Sequence, residues 1–166
     1  MGKKSNTSSS LARTQPRPDK SLRSRCDAPV IVELPNGVVV QATGIGRPGG
    51  DPDPDFGLYL DKRWADADVP WDHTILDWPD YGVPLGVESI RRAHDAIRDA
   101  YARAARGERV EVACIGGIGR TGTVLGCMAV LAGVPAADAR RWVREHYRSI
   151  AIETEQQNQF IVGFAG

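Results

Sequence analysis

Cys114 and Arg120 stand five residues apart in ACIGGIGRTGTV (Ala113–Val124), and three of those five residues are glycines. A thiol and a guanidinium on either side of a glycine-rich turn suggest a cradle for an oxyanion, and three known cradles fit the letters. Gly117–Gly122 reads G-x-G-x-x-G, the dinucleotide pattern, which needs a second strand ending in an acid about 20 residues on. The downstream stretch is instead PAADARRWVREHY, a helical pattern, and only 44 residues remain after Gly122. Gly117–Thr123 begins like a nucleotide-binding P-loop, but Thr123 and Val124 stand where the lysine and the magnesium-binding hydroxyl belong. The third pattern, C-x-x-x-x-x-R, meets no such objection. Its backbone N–H groups, from Ile115, Gly116, Gly117, Ile118 and Gly119, can turn inward on a dianion. Arg120 can grip two oxygens in a bidentate fork. The helix that opens there favours both the bound anion and the thiolate form of Cys114. The chemistry such a cradle would support is nucleophilic attack by sulfur on a bound phosphate.

Two further stretches carry a resemblance. ILDWPDYGVP (75–84) keeps Trp78-Pro79-Asp80 intact and is similar to the acid loop of cysteine-dependent protein tyrosine phosphatases. VEVACIGGIGRTGT resembles the catalytic loop of the same superfamily. AIETEQQNQFI resembles its glutamine loop, with Thr154 and Gln157 in register. The order of acid loop, long helix, strand and catalytic loop also agrees, and the resemblance covers roughly residues 55–166. It points to the small, dual-specificity-like bacterial type.

The resemblance implies a phosphomonoester hydrolase, a tyrosine or dual-specificity protein phosphatase working through a phosphocysteine. Cys114 is then the nucleophile and Arg120 the phosphate clamp. Asp80 is the acid for the leaving oxygen and the base for water. Thr121 hydrogen-bonds the sulfur, and Gln157 positions the water. No metal or organic cofactor is called for. Two positions depart from the family pattern. Ala113 replaces the His that normally precedes the nucleophile and helps to organise the loop, and Glu153 replaces the first Gln of the glutamine loop. Ala113 motivates an alternative: a weakly active or inactive phosphate-binding module of the same fold. The loop interior lacks the lysines common in relatives that act on inositol lipids. The expected partner is therefore a phosphorylated protein or a small phosphomonoester.

Other residues carry less. DPDPD (51–55) begins like a calcium loop, but Phe56 replaces the needed glycine and Lys62 the terminal acid, so a solvated turn is expected. His73, His94 and His146 have no ligand spacing. Asp77 is expected to fix the acid loop. Arg140, Arg141, Arg144 and Arg148 share helical spacing and read as a solvated face. Nothing in the sequence brings Cys26 or Cys127 close to Cys114.

The elements that must position these residues emerge from periodicity. APVIVELPNGVVVQAT reads as two strands about an Asn-Gly turn, and GIGRPGGDPDPD as a loop. FGLYL (56–60) and HTIL (73–76) read as short strands. Val87–Arg106 carries Ile90, Ala93, Ile97, Tyr101 and Ala104 on a helical stripe. RVEVAC (109–114) is a strand entering the glycine loop. Helices are expected from Thr121 to Leu131, from Pro135 to near Tyr147, and from Glu153 to Phe164. This alternation defines an α/β chain. The resemblance implies one phosphatase-like domain, residues 26–166, with a central, mostly parallel sheet flanked by helices.

Residues 1–25 hold seven Lys/Arg against one Asp and almost no large apolar residues, which predicts a disordered basic tail. The rest is acidic by about six charges, so nucleic acid is not an expected partner. Hydrophobic residues make up 42% of the 166, enough for a core, and no run is long enough to span a membrane. Three cysteines without a paired framework fit a reducing cytoplasm.

Overall fold

The computed structural model describes residues 29–45 and 52–166. The expected basic tail and Cys26 lie outside these residues, as does part of the loop before Phe56. Five strands form one sheet: β1 (Val30–Glu33), β2 (Val39–Gly44), β3 (Phe56–Tyr59), β4 (Asp72–Ile75) and β5 (Val110–Cys114). Four helices accompany it, in keeping with the apolar spacing: α1 (Val87–Ala105), α2 (Gly119–Leu131), α3 (Ala136–His146) and α4 (Glu155–Phe164). The strand order is β1-β2-β5-β3-β4. Only the β1–β2 pair is antiparallel; β2–β5, β5–β3 and β3–β4 are parallel.

The β1–β2 hairpin turns through Pro35-Asn36-Gly37. Leu34 N–H donates to Val38 O at 2.7 Å, and Gly37 takes the left-handed backbone that closes a three-residue hairpin. β1, at the edge, buries only Val32 fully, whereas β3 and β5 are buried along their whole length. A central parallel strand covered on both faces must be apolar or have its polar groups paired. Glu111 in β5 meets that condition. Its carboxylate accepts from Tyr59 Oη at 2.8 Å and from Gln41 Nε2 at 2.9 Å.

Alternation along β5 separates two packing layers. Val110, Val112 and Cys114 join the main core with Ile97, Leu125, Met128, Val143 and Ile161 from the four helices. Ala113 faces the other way. It packs with Tyr59 and with Trp64, from a short 3-10 turn (Lys62–Asp66) that comes after β3. The α1 stripe, Ala93, Ile97, Ala100 and Ala104, is the buried face of an otherwise polar helix. Among the described residues no helix is long and apolar enough to cross a membrane.

Three expectations change. α4 starts at Glu155, with Thr154 as its N-cap, so Glu153 and Thr154 belong to the preceding turn. The arginines of α3 are not simply a solvated face. Arg144 donates to Ala151 O at 2.9 Å and to Ile152 O at 3.1 Å, and Arg140 donates to Ile152 O at 3.2 Å. Ile152 is fully buried with φ +59°, a strained conformation for a β-branched residue, and these two guanidiniums satisfy its carbonyl. The expected solvated turn at DPDPD also does more, because Asp55 takes a two-pronged bond from Arg109 at 2.7 and 3.1 Å.

Candidate active site

β5 delivers Cys114 to the carboxyl end of the sheet, and the chain turns through Ile115–Ile118 into α2. No side chain caps the start of α2, which leaves its first N–H groups available to an anion. Three loop carbonyls are held from outside. Trp64 Nε1–H donates to Cys114 O at 3.4 Å, Ile45 N–H to Ile115 O at 3.1 Å, and the Tyr147 hydroxyl to Gly117 O. In a trans peptide the N–H points opposite to the carbonyl, so these contacts aim the N–H groups of Ile115, Gly116 and Ile118 toward the concave side. The Gly117 N–H donates to Cys114 Sγ at 3.2 Å. Gly117 itself has φ +67°, and a Cβ there would lie 2.9 Å from Thr43 O. Only glycine fits this bend.

Thr121 sits beneath Cys114. Its Oγ1 accepts the Cys114 N–H at 2.9 Å, which leaves the hydroxyl hydrogen to be directed elsewhere. Arg120 is 1% exposed and its guanidinium is anchored from behind. Nη1 donates to Leu60 O at 3.0 Å, to Asp61 Oδ2 at 2.8 Å and to Trp78 O at 2.7 Å. Nη2 lies 3.3 Å from Asp80 Oδ1, and the buried Nε has no hydrogen-bond partner. One nitrogen is fixed, and the edge made by the other two has the geometry to share two oxygens of an anion.

Asp80 stands on a turn organised by its neighbours. The Trp78 indole donates to Gly82 O at 2.7 Å, the Gly82 N–H to Pro79 O at 3.1 Å, and the Tyr81 N–H to Asp80 Oδ1 at 3.0 Å. Thr154 Oγ1 donates to Tyr81 O at 3.0 Å, tying this loop to the cap of α4. The side chain of Asp80 is 55% exposed, beside an arginine that is not. Asp77, expected to fix this loop, is exposed as well; the Trp78 indole braces the turn.

Gln157 forms a capping box with Thr154, and its Oε1 accepts from the Glu153 N–H at 2.7 Å. Its Nε2 is buried and unpartnered and lies near Gly119. Glu153 reaches the same place: a Cβ on Gly119 would be 2.1 Å from its Oε2. Burial first, and then the charge of Asp80, push the Glu153 carboxyl above its usual range, with Arg120 opposing.

The structure therefore brings Cys114, Ile115–Gly119, Arg120, Thr121, Asp80 and Gln157 to one end of the sheet. Cys127 lies fully buried on α2, its thiol pushed far up by burial. Among the described residues no group of His, Cys, Asp or Glu could hold a metal ion. Sequence reasoning missed Asp61, Trp64 and Tyr147. A signal existed for Asp61: it lies just beyond the carboxyl end of β3, the edge of a parallel sheet where α/β folds gather their ligands.

Residues 58–165 match the family model of protein-tyrosine phosphatase. An uncharacterized protein of Methanocaldococcus jannaschii is 42% identical over 110 residues, which span 64% of this chain and 70% of that relative. Among solved structures, the active form of Tk-PTP superposes with a TM-score of 0.60 at 20% identity, over 76% of this chain and 90% of that one. Kinase associated phosphatase, with its catalytic cysteine substituted by serine, gives a TM-score of 0.64 at 13% identity, over 83% and 93%. These two likenesses are of fold. The chain belongs to the protein-tyrosine phosphatase family.

Proposed function

We propose that the chain hydrolyses phosphomonoesters, and that its substrate is a phosphorylated protein carrying phosphotyrosine or phosphoserine/threonine. The observation that carries this reading is the buried Arg120, anchored through Nη1 and unpaired at Nε, beside a loop whose Gly117 N–H donates to Cys114 Sγ. An arginine so oriented is complementary to the equatorial oxygens of a phosphoryl group in flight. The Cys114 thiolate forms the S–P bond as the ester P–O bond breaks, and Asp80 gives its proton to the departing oxygen. Water then attacks phosphorus and yields its proton to Asp80. The P–S bond breaks, and sulfur leaves as thiolate, helped by the Thr121 hydroxyl. Gln157 Nε2 orients the water. The neutral interior of the loop, Ile115 to Ile118, supports a substrate with a single phosphate. The working domain is residues 26–166, and its compartment a reducing cytoplasm.

Hydrolysis of an aryl phosphate tests this. Cys114→Ser is expected to abolish turnover while still binding inorganic phosphate. Asp80→Asn is expected to lower kcat by about 10²–10⁴-fold. Wild-type turnover equal to that of Cys114→Ser removes the nucleophile. A wild type that binds phosphate without turnover establishes the binding-module alternative that Ala113 motivates.

A further inference from the structure

We propose that Trp64 is a positioning residue for the nucleophile loop, acting across the sheet through the Cys114 carbonyl in the space that Ala113 leaves. This rests on the reading of Cys114 as the nucleophile. Three observations converge on it. The Trp64 indole is 1% exposed, and its Nε1–H meets the backbone carbonyl of Cys114 itself. The indole is held flat against Tyr59, ring centroids 3.9 Å apart and planes within 6°. Tyr59 is in turn pinned at its hydroxyl, which donates to Glu111 at 2.8 Å and accepts from Trp71 Nε1 at 2.7 Å. The donor is therefore rigid, and its orientation is set from outside the loop.

Ala113 makes the arrangement fit. Its methyl group is fully buried against Tyr59 and Trp64, so a larger side chain at that position would displace the stack. In this chain the organising group comes from a turn about 50 residues upstream instead of from the adjacent residue. The consequence for chemistry runs through one peptide plane. Holding Cys114 O toward Trp64 points the Ile115 N–H the opposite way, into the anion cradle, and draws negative charge from the carbonyl nearest the sulfur. Trp64 thus favours both the bound oxyanion and the thiolate without touching either.

The test is alkylation of Cys114 by iodoacetate across pH, with and without inorganic phosphate, in wild type, Trp64→Phe and Trp71→Phe. The charged and titratable groups around the site are Arg120 with Asp61, Asp80 and Glu153 about it, Arg63 paired to Asp61, and the Tyr147 hydroxyl. None is altered by either variant. Trp64→Phe keeps a stacked ring but loses the N–H. It is expected to move the pH of half-maximal alkylation upward by about half a unit to one unit and to weaken phosphate protection about 3- to 10-fold. Trp71→Phe leaves the Trp64 N–H in place and frees only one of the two bonds that pin Tyr59, so its shifts should be clearly smaller than those of Trp64→Phe. Unchanged behaviour of Trp64→Phe, or equal shifts in both variants, overturns the proposal.

If Trp64→Phe does not fold, the wild-type indole N–H resonance of Trp64 serves instead. It should move when Cys114 is alkylated, and a resonance that stays put overturns the proposal. Wild-type Cys114 that phosphate fails to protect removes the underlying reading, and this proposal with it. Normal protection in wild type with an unaffected Trp64→Phe removes this proposal alone.

Discussion

Glu153 puts a second carboxylate at the mouth of the site. Its Oε2 lies against Gly119, the first residue of α2, where a bound oxyanion would draw on the helix N-terminus. Burial and the charge of Asp80 favour its neutral form, so it ionises as pH rises above the ordinary carboxylate range. Once ionised it opposes any incoming dianion. Glu153→Gln is therefore expected to tighten vanadate inhibition about threefold to tenfold at neutral pH, with the gain fading as pH falls and the wild-type carboxyl protonates. Inhibition constants across pH check this; equal constants in both proteins refute it. The departure at Glu153 was visible as a letter in the sequence. Its position over Gly119 was not, because the strained turn at Ile152 that presents it has no compositional mark.

At the scale of elements, that turn joins the two halves of the site. Residues 151–154 link the acid loop to the catalytic loop. Thr154 holds Tyr81 O while Glu153 and Gln157 face Gly119. Arg144 and Arg140 hold the turn by its carbonyls, and the side chain of Arg144 makes two of the three bonds. Arg144→Met keeps the aliphatic stem and removes both. It is expected to cost about 1–3 kcal/mol in urea unfolding, to speed amide hydrogen exchange across 151–157, and to lower kcat for the aryl phosphate. Loss of stability with unchanged exchange in that turn would refute the assignment. Helical spacing correctly placed Arg140 and Arg144 on one face. It could not say that another segment's carbonyls would lie against that face, since such contacts depend on how α3 packs on α2 and α4. The loop from Cys114 to Arg120 was legible for the opposite reason: its thiol, backbone N–H groups and guanidinium are contiguous, so their arrangement is local.

For the whole molecule, the parallel order β5-β3 brings residues about 50–60 positions apart to one sheet end. β3 leads directly into Asp61, which receives two bonds from the Arg63 guanidinium and one from Arg120 Nη1. Hydrogen bonds from Arg63, and then Arg120, hold its carboxyl well below the usual range against the pull of burial. A carboxyl depressed in the fold contributes stability above its unfolded pKa, about 3.9, and loses it as pH falls toward the folded value. Asp61→Asn is expected to cost about 2–4 kcal/mol at neutral pH, with wild type and variant converging as pH drops below about 4. Chemical denaturation at several pH values checks this, and a difference that persists undiminished in acid refutes it. Strands, helices and their order could be read from periodicity. Asp61 could not be read as a partner of Arg120, because only the neighbouring of β3 and β5 joins them.

Arg120 Nη1 finds one of its three acceptors, Trp78 O, on the loop that carries Asp80. The clamp and the acid are thus two readouts of one equilibrium. With the loop in place, the guanidinium has its full set of restraints and its free edge is held still for an oxyanion. Were the loop moved away, that restraint would be lost. By reciprocity, an anion that prefers the restrained guanidinium must favour the placed loop by the same factor. In the proposed mechanism the ester to be cleaved would thereby help to recruit the proton that releases its alcohol.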